Sequence, residues 1–170
     1  RLRAELSNAA LAHAALALAA MERREMAGEF AAVLESRALF DATPYAGDAY
    51  FRDWPQTLDR VAALEPAVLV PGRGAALTTP EQVQAGLAGT RGFIADLRAS
   101  VEAGIAAGKD LNAVYKETHA RLKPKYGHWV IFDHWLPFDV TRAYDEATQY
   151  RDPRIWTAER DIEMWKVLEG

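Results

Sequence analysis

Side chains able to bind a metal are scarce in this sequence of 170 residues, which has four histidines and no cysteine. A thiolate nucleophile, an iron–sulfur cluster and a cysteine zinc site are therefore excluded. His128, Asp133 and His134 lie close enough in sequence to offer a metal two nitrogens and one oxygen. Their spacing fits neither a pair one helical turn apart nor alternating strand positions. Hydrogen bonding within an aromatic segment is therefore the competing interpretation.

An arginine in a glycine-rich turn and an acidic, aromatic loop are the other candidates for ligand binding. Arg73 lies between two glycines after an apolar run, where backbone amides and a guanidinium can hold an anion. The full G-x-G-x-x-G nucleotide pattern is absent. Residues 45–54 place Asp48, Tyr50 and Trp54 in one short loop. Aromatic side chains at this density either pack a loop onto the core or form the wall of a pocket.

Helices dominate the elements that must position these side chains. Residues 1–39 are rich in alanine and lack proline, which predicts a helix. Capping and stop residues predict five more helices, over about 54–65, 80–107, 111–123, 138–149 and 156–168. Residues 67–70, an apolar run before a tight turn, predict the one strand. Because a lone strand leaves its backbone groups unpaired, we expect a sheet to be missing from this chain.

Composition and charge narrow the classes of function. The length suits one domain, and the net charge of -4 comes with interleaved acids and bases rather than a basic stripe. We therefore expect no nucleic-acid partner. The longest apolar stretch is too short for a membrane span, and no secretory signal follows Arg1. These features predict a cytoplasmic globular protein, and the start at Arg1 predicts a processed or excised piece.

Several ordered segments resemble the C-terminal half of metallo-β-lactamase-fold metallo-hydrolases. Residues 53–60 resemble the family's W-P-x-T-L-D helix, and residues 68–74 its strand that ends in a P-G-H-G loop. Residues 136–146 and 152–161 resemble a helical extension found in one branch. The likeness implies two parts: an alanine-rich helical segment of unclear origin over 1–34, and the C-terminal portion of the hydrolase domain over 35–170. The implied fold class is α+β, mainly α in this chain, as part of an αββα sandwich with a helical C-terminal extension.

The same resemblance implies a chemistry. Zinc-bound hydroxide would hydrolyse an ester, amide, thioester or phosphoester of a small molecule. The family's H-x-H-x-D-H motif is absent, however, and Arg73 replaces the histidine of its P-G-H-G loop. A guanidinium stays protonated and cannot bind zinc. We therefore expect neither tight zinc binding nor activity from this chain alone.

Two roles remain open for the chain. If activity arises with a partner fragment, the resemblance implies that Arg73 binds a substrate anion while Asp48, Tyr50 and Trp54 line the pocket. The alternative is a non-catalytic helical interaction module, in which the first helix and the helix at 79–107 form a dimer face. That module would be a homo-oligomer with no need of a metal.

Overall fold

The computed structural model describes residues 43–169, which form an N-terminal loop, five helices and their connections. The helices are α1 (Trp54–Ala63), α2 (Pro80–Ala106), α3 (Leu111–Tyr126), α4 (Phe132–Thr148) and α5 (Ala158–Glu169). Residues 43–53 lead into α1 without regular structure, as their proline, glycine and acidic residues predict. The helix expected over 1–39 lies outside the described residues.

The five helices belong to one compact unit that includes residues 43–71 and 76–169. Residues 72–75, among them Arg73, belong to a second unit. Within the first unit, α2 packs against α1, α3 and α4, and α5 packs against α3 and α4. Apolar side chains from α2, α3 and α4 form its centre, in particular Phe93, Ile94, Leu97, Val101, Val114, Leu122, Tyr126, Phe132, Leu136 and Val140.

Both ends of α2 follow from local sequence. Thr79 accepts a hydrogen bond from the backbone of Gln82, whose side chain accepts one in return, so the predicted capping box is confirmed. At the other end Gly108 has φ +71°, a conformation that glycine adopts without steric cost. The amides of Gly108 and Lys109 turn back onto the carbonyls of Ile105 and Gly104. This pattern ends α2 and directs the chain into α3.

The start of α1 lies where it was predicted but lacks its predicted cap, and two other helix boundaries differ from the prediction by three residues or more. Asp53 occupies the N-cap position of α1, but its side chain makes no capping bond. The third helix continues through Pro124 to Tyr126, because a proline in the last turn forfeits only one backbone hydrogen bond. The fourth helix begins at Phe132 rather than near 138 and contains Pro137. Its start is set by Ile131, which takes a left-handed conformation with φ 60°.

The expected α+β class with part of an αββα sandwich is wrong for this chain: residues 43–169 contain helices and no strand. The apolar run at 67–70 contributes one isolated antiparallel bridge, in which Leu69 and Leu77 exchange backbone hydrogen bonds. Val68 and Val70 on either side are 54% and 75% exposed. A strand needs a partner along its length, and in the described region the chain reverses at Pro71 and offers only Leu77.

None of the helices between residues 43 and 169 combines the length and apolar character that crossing a bilayer requires.

Candidate functional site

The aromatic loop of residues 43–53 is held by three charged side chains on α4. Asp139, Arg142 and Glu146 are spaced three and four residues apart, which places them along one side of the helix. We call these three residues the loop clamp. Each makes a hydrogen bond to the backbone of a loop that lies more than 90 residues earlier in the chain.

Arg142 is the centre of the loop clamp. Its side chain is completely buried, and its Nε donates to the carbonyl of Ala49 at 2.7 Å. Its two terminal nitrogens donate to the carbonyls of Tyr150 and Arg151 at 2.9 and 2.8 Å. One of them also donates to Glu146 at 3.2 Å. The planar guanidinium therefore joins the loop to the segment that follows α4, a geometry that a lysine cannot reproduce.

The two acidic members of the loop clamp accept loop amides. Glu146, whose side chain is 6% exposed, accepts from the amides of Phe51 at 2.8 Å and Arg52 at 3.0 Å. Asp139 is fully buried and accepts from the amide of Ala46 through Oδ1 at 2.6 Å. Burial raises the pKa of Asp139 well above its ordinary value, and the Ala46 hydrogen bond only partly opposes this.

A second set of contacts supports the loop from the side of α5. The indole N–H of Trp156 donates to the carbonyl of Gly47 at 3.0 Å, and the Arg160 guanidinium lies over the Trp156 ring at 3.8 Å. Arg160 also donates to Asp145 at 3.0 Å and to the carbonyl of Arg154. Burial raises the pKa of Asp145, although Arg160 and other arginines oppose this effect. Burial lowers the pKa of Arg160.

The clamped loop leaves part of its side chains in solvent. Asp48 is exposed, and Tyr50 is 42% exposed with its hydroxyl donating to Asp152 at 3.2 Å. That hydrogen bond raises the pKa of Tyr50. Trp54 is half-buried at the start of α1, with its ring 6.4 Å from that of Phe51. The structure therefore places the three predicted pocket residues on one stretch of backbone, with Trp54 partly packed on the core.

Arg73 and the three predicted pocket residues belong to different units of the chain. The Arg73 side chain is exposed, and it belongs to the segment 72–75 of the second unit. Gly74 beside it has φ 97°, so the turn uses the conformational freedom of glycine. Anion binding by Arg73 stays a prediction.

The candidate metal ligands make other contacts. Asp133 accepts from His119 at 2.9 Å and from Lys123 at 2.6 Å, and these bonds lower its pKa. The His134 ring meets Phe138 edge-on at 6.2 Å, and His128 is exposed. Across residues 43–169, no group of three or more histidine or acidic side chains could hold a metal ion. A zinc ion therefore does not fit the side chains that the structure describes.

A shallow cleft lies beside the loop clamp. Phe51 and Arg52 from the loop, Arg98 and Glu102 from α2 and Glu146 from α4 contribute to its lining. Its volume of about 260 Å³ includes open solvent, so the cleft is a surface depression rather than an enclosed pocket. A substrate would need further surface beyond this cleft.

The loop clamp is the feature that sequence reasoning missed. Asp139, Arg142 and Glu146 lie between buried apolar residues of the same helix, such as Leu136, Val140 and Ala143. Charges repeated at helical spacing beside an apolar face were the available signal. Their partners could not be deduced, because they are mainly backbone atoms of a distant loop.

No protein-family model matches this chain, and no curated protein matches it.

Proposed function

We propose that residues 43–169 form a helical, substrate-facing part of a metal-dependent hydrolase whose metal ligands lie outside these residues. Its substrate would be a small molecule with an ester, amide, thioester or phosphoester bond, and its compartment the cytoplasm. The observation that supports this proposal is the loop clamp. Three largely buried ionisable side chains, of which Arg142 and Glu146 form an ion pair, fix the backbone of an aromatic loop and leave Asp48 and part of Tyr50 open to a ligand.

The cost of this arrangement favours a binding role for the loop. Burying ionisable groups costs free energy even when most of their polar atoms are hydrogen-bonded, and a loop that only connected two elements would not require it. Loops that carry binding residues are commonly held by such a supporting layer, because ligand contacts demand a fixed backbone. Here the supporting side chains contact both halves of the loop, at Ala46, Gly47, Ala49, Phe51 and Arg52.

In the proposed role, the residues of this chain bind and orient substrate rather than activate water. The Asp48 carboxylate would accept hydrogen bonds from a substrate hydroxyl or ammonium group. Tyr50, fixed by Asp152, would present its ring as an apolar wall, and Trp54 would extend that wall. Arg73 belongs to the other unit, where its guanidinium would bind an anion through charge-assisted hydrogen bonds.

The test uses the longest native polypeptide that contains this sequence, purified, loaded with zinc and assayed on p-nitrophenyl acetate, acetylthiocholine and p-nitrophenyl phosphate. We expect zinc-dependent hydrolysis of at least one of them. Tyr50→Ala should lower kcat/KM by about tenfold or more. Tyr150→Ala is the matched control, since Tyr150 is 40% exposed and Tyr50 is 42% exposed. Absence of zinc-dependent hydrolysis, or equal losses in both variants, would contradict the proposal.

A second candidate function, the helical dimerisation module, is favoured by the surface of α2. Exposed alanines recur along this helix three, four or seven residues apart, at positions Ala85, Ala88, Ala95, Ala99, Ala103 and Ala106. Small side chains at such spacing allow a second helix to approach closely.

Oligomeric state tests this candidate directly. Size-exclusion chromatography with light scattering should show a dimer that forms with rising concentration and survives chelator. Ala95→Glu would place charges in the interface and shift the chain to monomer, whereas Ala120→Glu, at an exposed alanine of α3, would not. A monomer at every concentration would reject the module.

A further inference from the structure

Accepting the Ala46 amide is the structural role of the Asp139 carboxyl group, and this role does not require an acidic group that is completely buried. The carboxyl group has no solvent-exposed surface, and Oδ1 alone is engaged, with the amide of Ala46. Oδ2 is also buried and has no hydrogen-bond partner. A serine hydroxyl or an asparagine amide could accept the same amide proton. The acidic group adds a proton that the molecule can gain or lose.

The surrounding elements carry further charged and titratable groups, among them Tyr45 and Asp48 from the loop, Arg142, Asp145 and Glu146 from α4, and Arg160 and Asp161 from α5. Neither arginine hydrogen-bonds to Asp139. Arg142 donates to three carbonyls and Glu146, and Arg160 donates to Asp145 and one carbonyl. Ionised Asp139 would therefore lie in an apolar site without a bonded cation, which strongly favours its neutral form.

The Tyr45 side chain does not change its charge beside Asp139 within the ordinary pH range. Burial and the nearby carboxylates of Asp48 and Asp139 raise the pKa of Tyr45 to about 12. The phenol therefore stays neutral.

We propose that the first half of the loop, residues 43–48, is a proton-coupled latch: it closes over Asp139 as the neutral acid, and its opening releases the Asp139 proton. Water reaches the carboxylate when this segment lifts. The second half stays in place, because Arg142 holds Ala49 and Glu146 holds Phe51 and Arg52. Local opening of a few residues costs less than unfolding the helices, so it is the first response to ionisation.

The direction of the effect follows from proton linkage. In the open segment Asp139 titrates near its ordinary value of about 4, whereas in the closed segment burial raises its pKa. Between these two values the closed form binds one proton more than the open form. The open population should therefore rise by up to tenfold per pH unit from about pH 4 upward, and level off above the raised pKa. This coupling between loop opening and release of the Asp139 proton does not depend on which ligand the loop binds.

Hydrogen exchange on the full chain, followed by mass spectrometry, measures this opening. Protection factors for a peptide covering residues 43–50 are taken relative to the intrinsic exchange rate at each pH. We expect them to fall as pH rises from about 4 in the wild type, and to stay level in Asp139→Asn, which keeps an acceptor for the Ala46 amide. Asp53→Asn, an exposed loop aspartate, should behave as the wild type.

Two results would overturn the proposal. The first is a wild-type protection factor that does not change with pH, which requires no variant. The second is the same pH trend in the wild type and in Asp139→Asn. If Asp139→Asn fails to fold, an infrared pH titration of the wild type decides the matter through the carbonyl band of a protonated carboxylic acid: loss of the band in step with the loss of protection at residues 43–50 supports the latch, and no band, or a band that does not follow the protection, rejects it.

Discussion

At the scale of single residues, the buried guanidinium of Arg142 makes the contacts most sensitive to change. Arg142→Ala would leave the Glu146 carboxylate and three carbonyls without their donor. Removing one partner of a buried charge network costs about 3–5 kcal/mol. Urea unfolding should show this loss, and Arg142→Lys should recover little of it, because one ammonium cannot span three carbonyls. Arg98→Ala, which breaks an exposed pair with Glu102, should cost about 0–1 kcal/mol; equal losses at the two arginines would contradict the clamp.

Gly47 illustrates a second residue-scale requirement, the close approach of side chains to the loop backbone. A Cβ at this position would lie 2.5 Å from the Tyr45 hydroxyl and 2.8 Å from the Trp156 indole nitrogen. Gly47→Ala should therefore displace Trp156, whose N–H bonds the Gly47 carbonyl, and destabilise the protein by about 1–3 kcal/mol. Thermal unfolding measures the effect. Gly72→Ala, where a Cβ would have no neighbour within 4 Å, should leave the melting temperature nearly unchanged.

At the scale of elements, the start of α2 depends on one side-chain oxygen. Thr79→Ala removes the acceptor for the Gln82 amide and should destabilise the protein by about 0.5–2 kcal/mol in urea unfolding. Thr79→Ser keeps that oxygen and should retain most of the stability. A loss in Thr79→Ser as large as in Thr79→Ala would show that the methyl group, rather than the capping bond, stabilises this end of the helix.

The predictable parts of the fold are those determined by neighbouring residues. The capping box at Thr79 and the glycine stop at Gly108 act within one helical turn, so the sequence identifies both ends of α2. The start of α4 depends on a left-handed Ile131, which no common sequence preference indicates. The strand predicted at 67–70 failed for a related reason: an apolar run predicts burial, but whether it pairs depends on residues elsewhere. In the candidate site, the acidic and aromatic composition of the loop is visible in the local sequence, whereas the clamp that holds its backbone is not; a ligand-binding role for Asp48 and Tyr50 stays a prediction.

At the scale of the whole molecule, long-range polar contacts join the two ends of the described region. Asp139 accepts a hydrogen bond from the loop backbone, and Arg142 and Trp156 donate to it, across 93 to 109 residues of sequence. Closing so long a loop costs more chain entropy than packing helices that neighbour each other in sequence, so we expect these contacts to open more readily than the helical core. The loop is therefore the part of this unit whose closure can change while the helical core stays intact.

The pH dependence of global stability should separate two kinds of aspartate. Burial raises the pKa of Asp139, so its contribution is present below about pH 4 and is lost as pH rises through the raised pKa. Burial also acts to raise the pKa of Asp96, but hydrogen bonds from Lys125 and Tyr126 outweigh it and lower the pKa overall. The contribution of Asp96 is therefore present above about pH 4 and is lost as pH falls through the lowered pKa.

Opposite trends follow for the two asparagine variants in urea unfolding between about pH 3 and 7. Relative to wild type, Asp139→Asn should gain stability as pH rises, because the variant has no proton to lose. Asp96→Asn should lose stability over the same rise, and only modestly, because its side chain is 43% exposed and solvent screens its partners. Parallel curves for wild type and both variants would show that neither carboxyl changes its proton affinity on folding. A crossing of the two variant curves would instead demonstrate that burial governs the first aspartate and ion pairing the second.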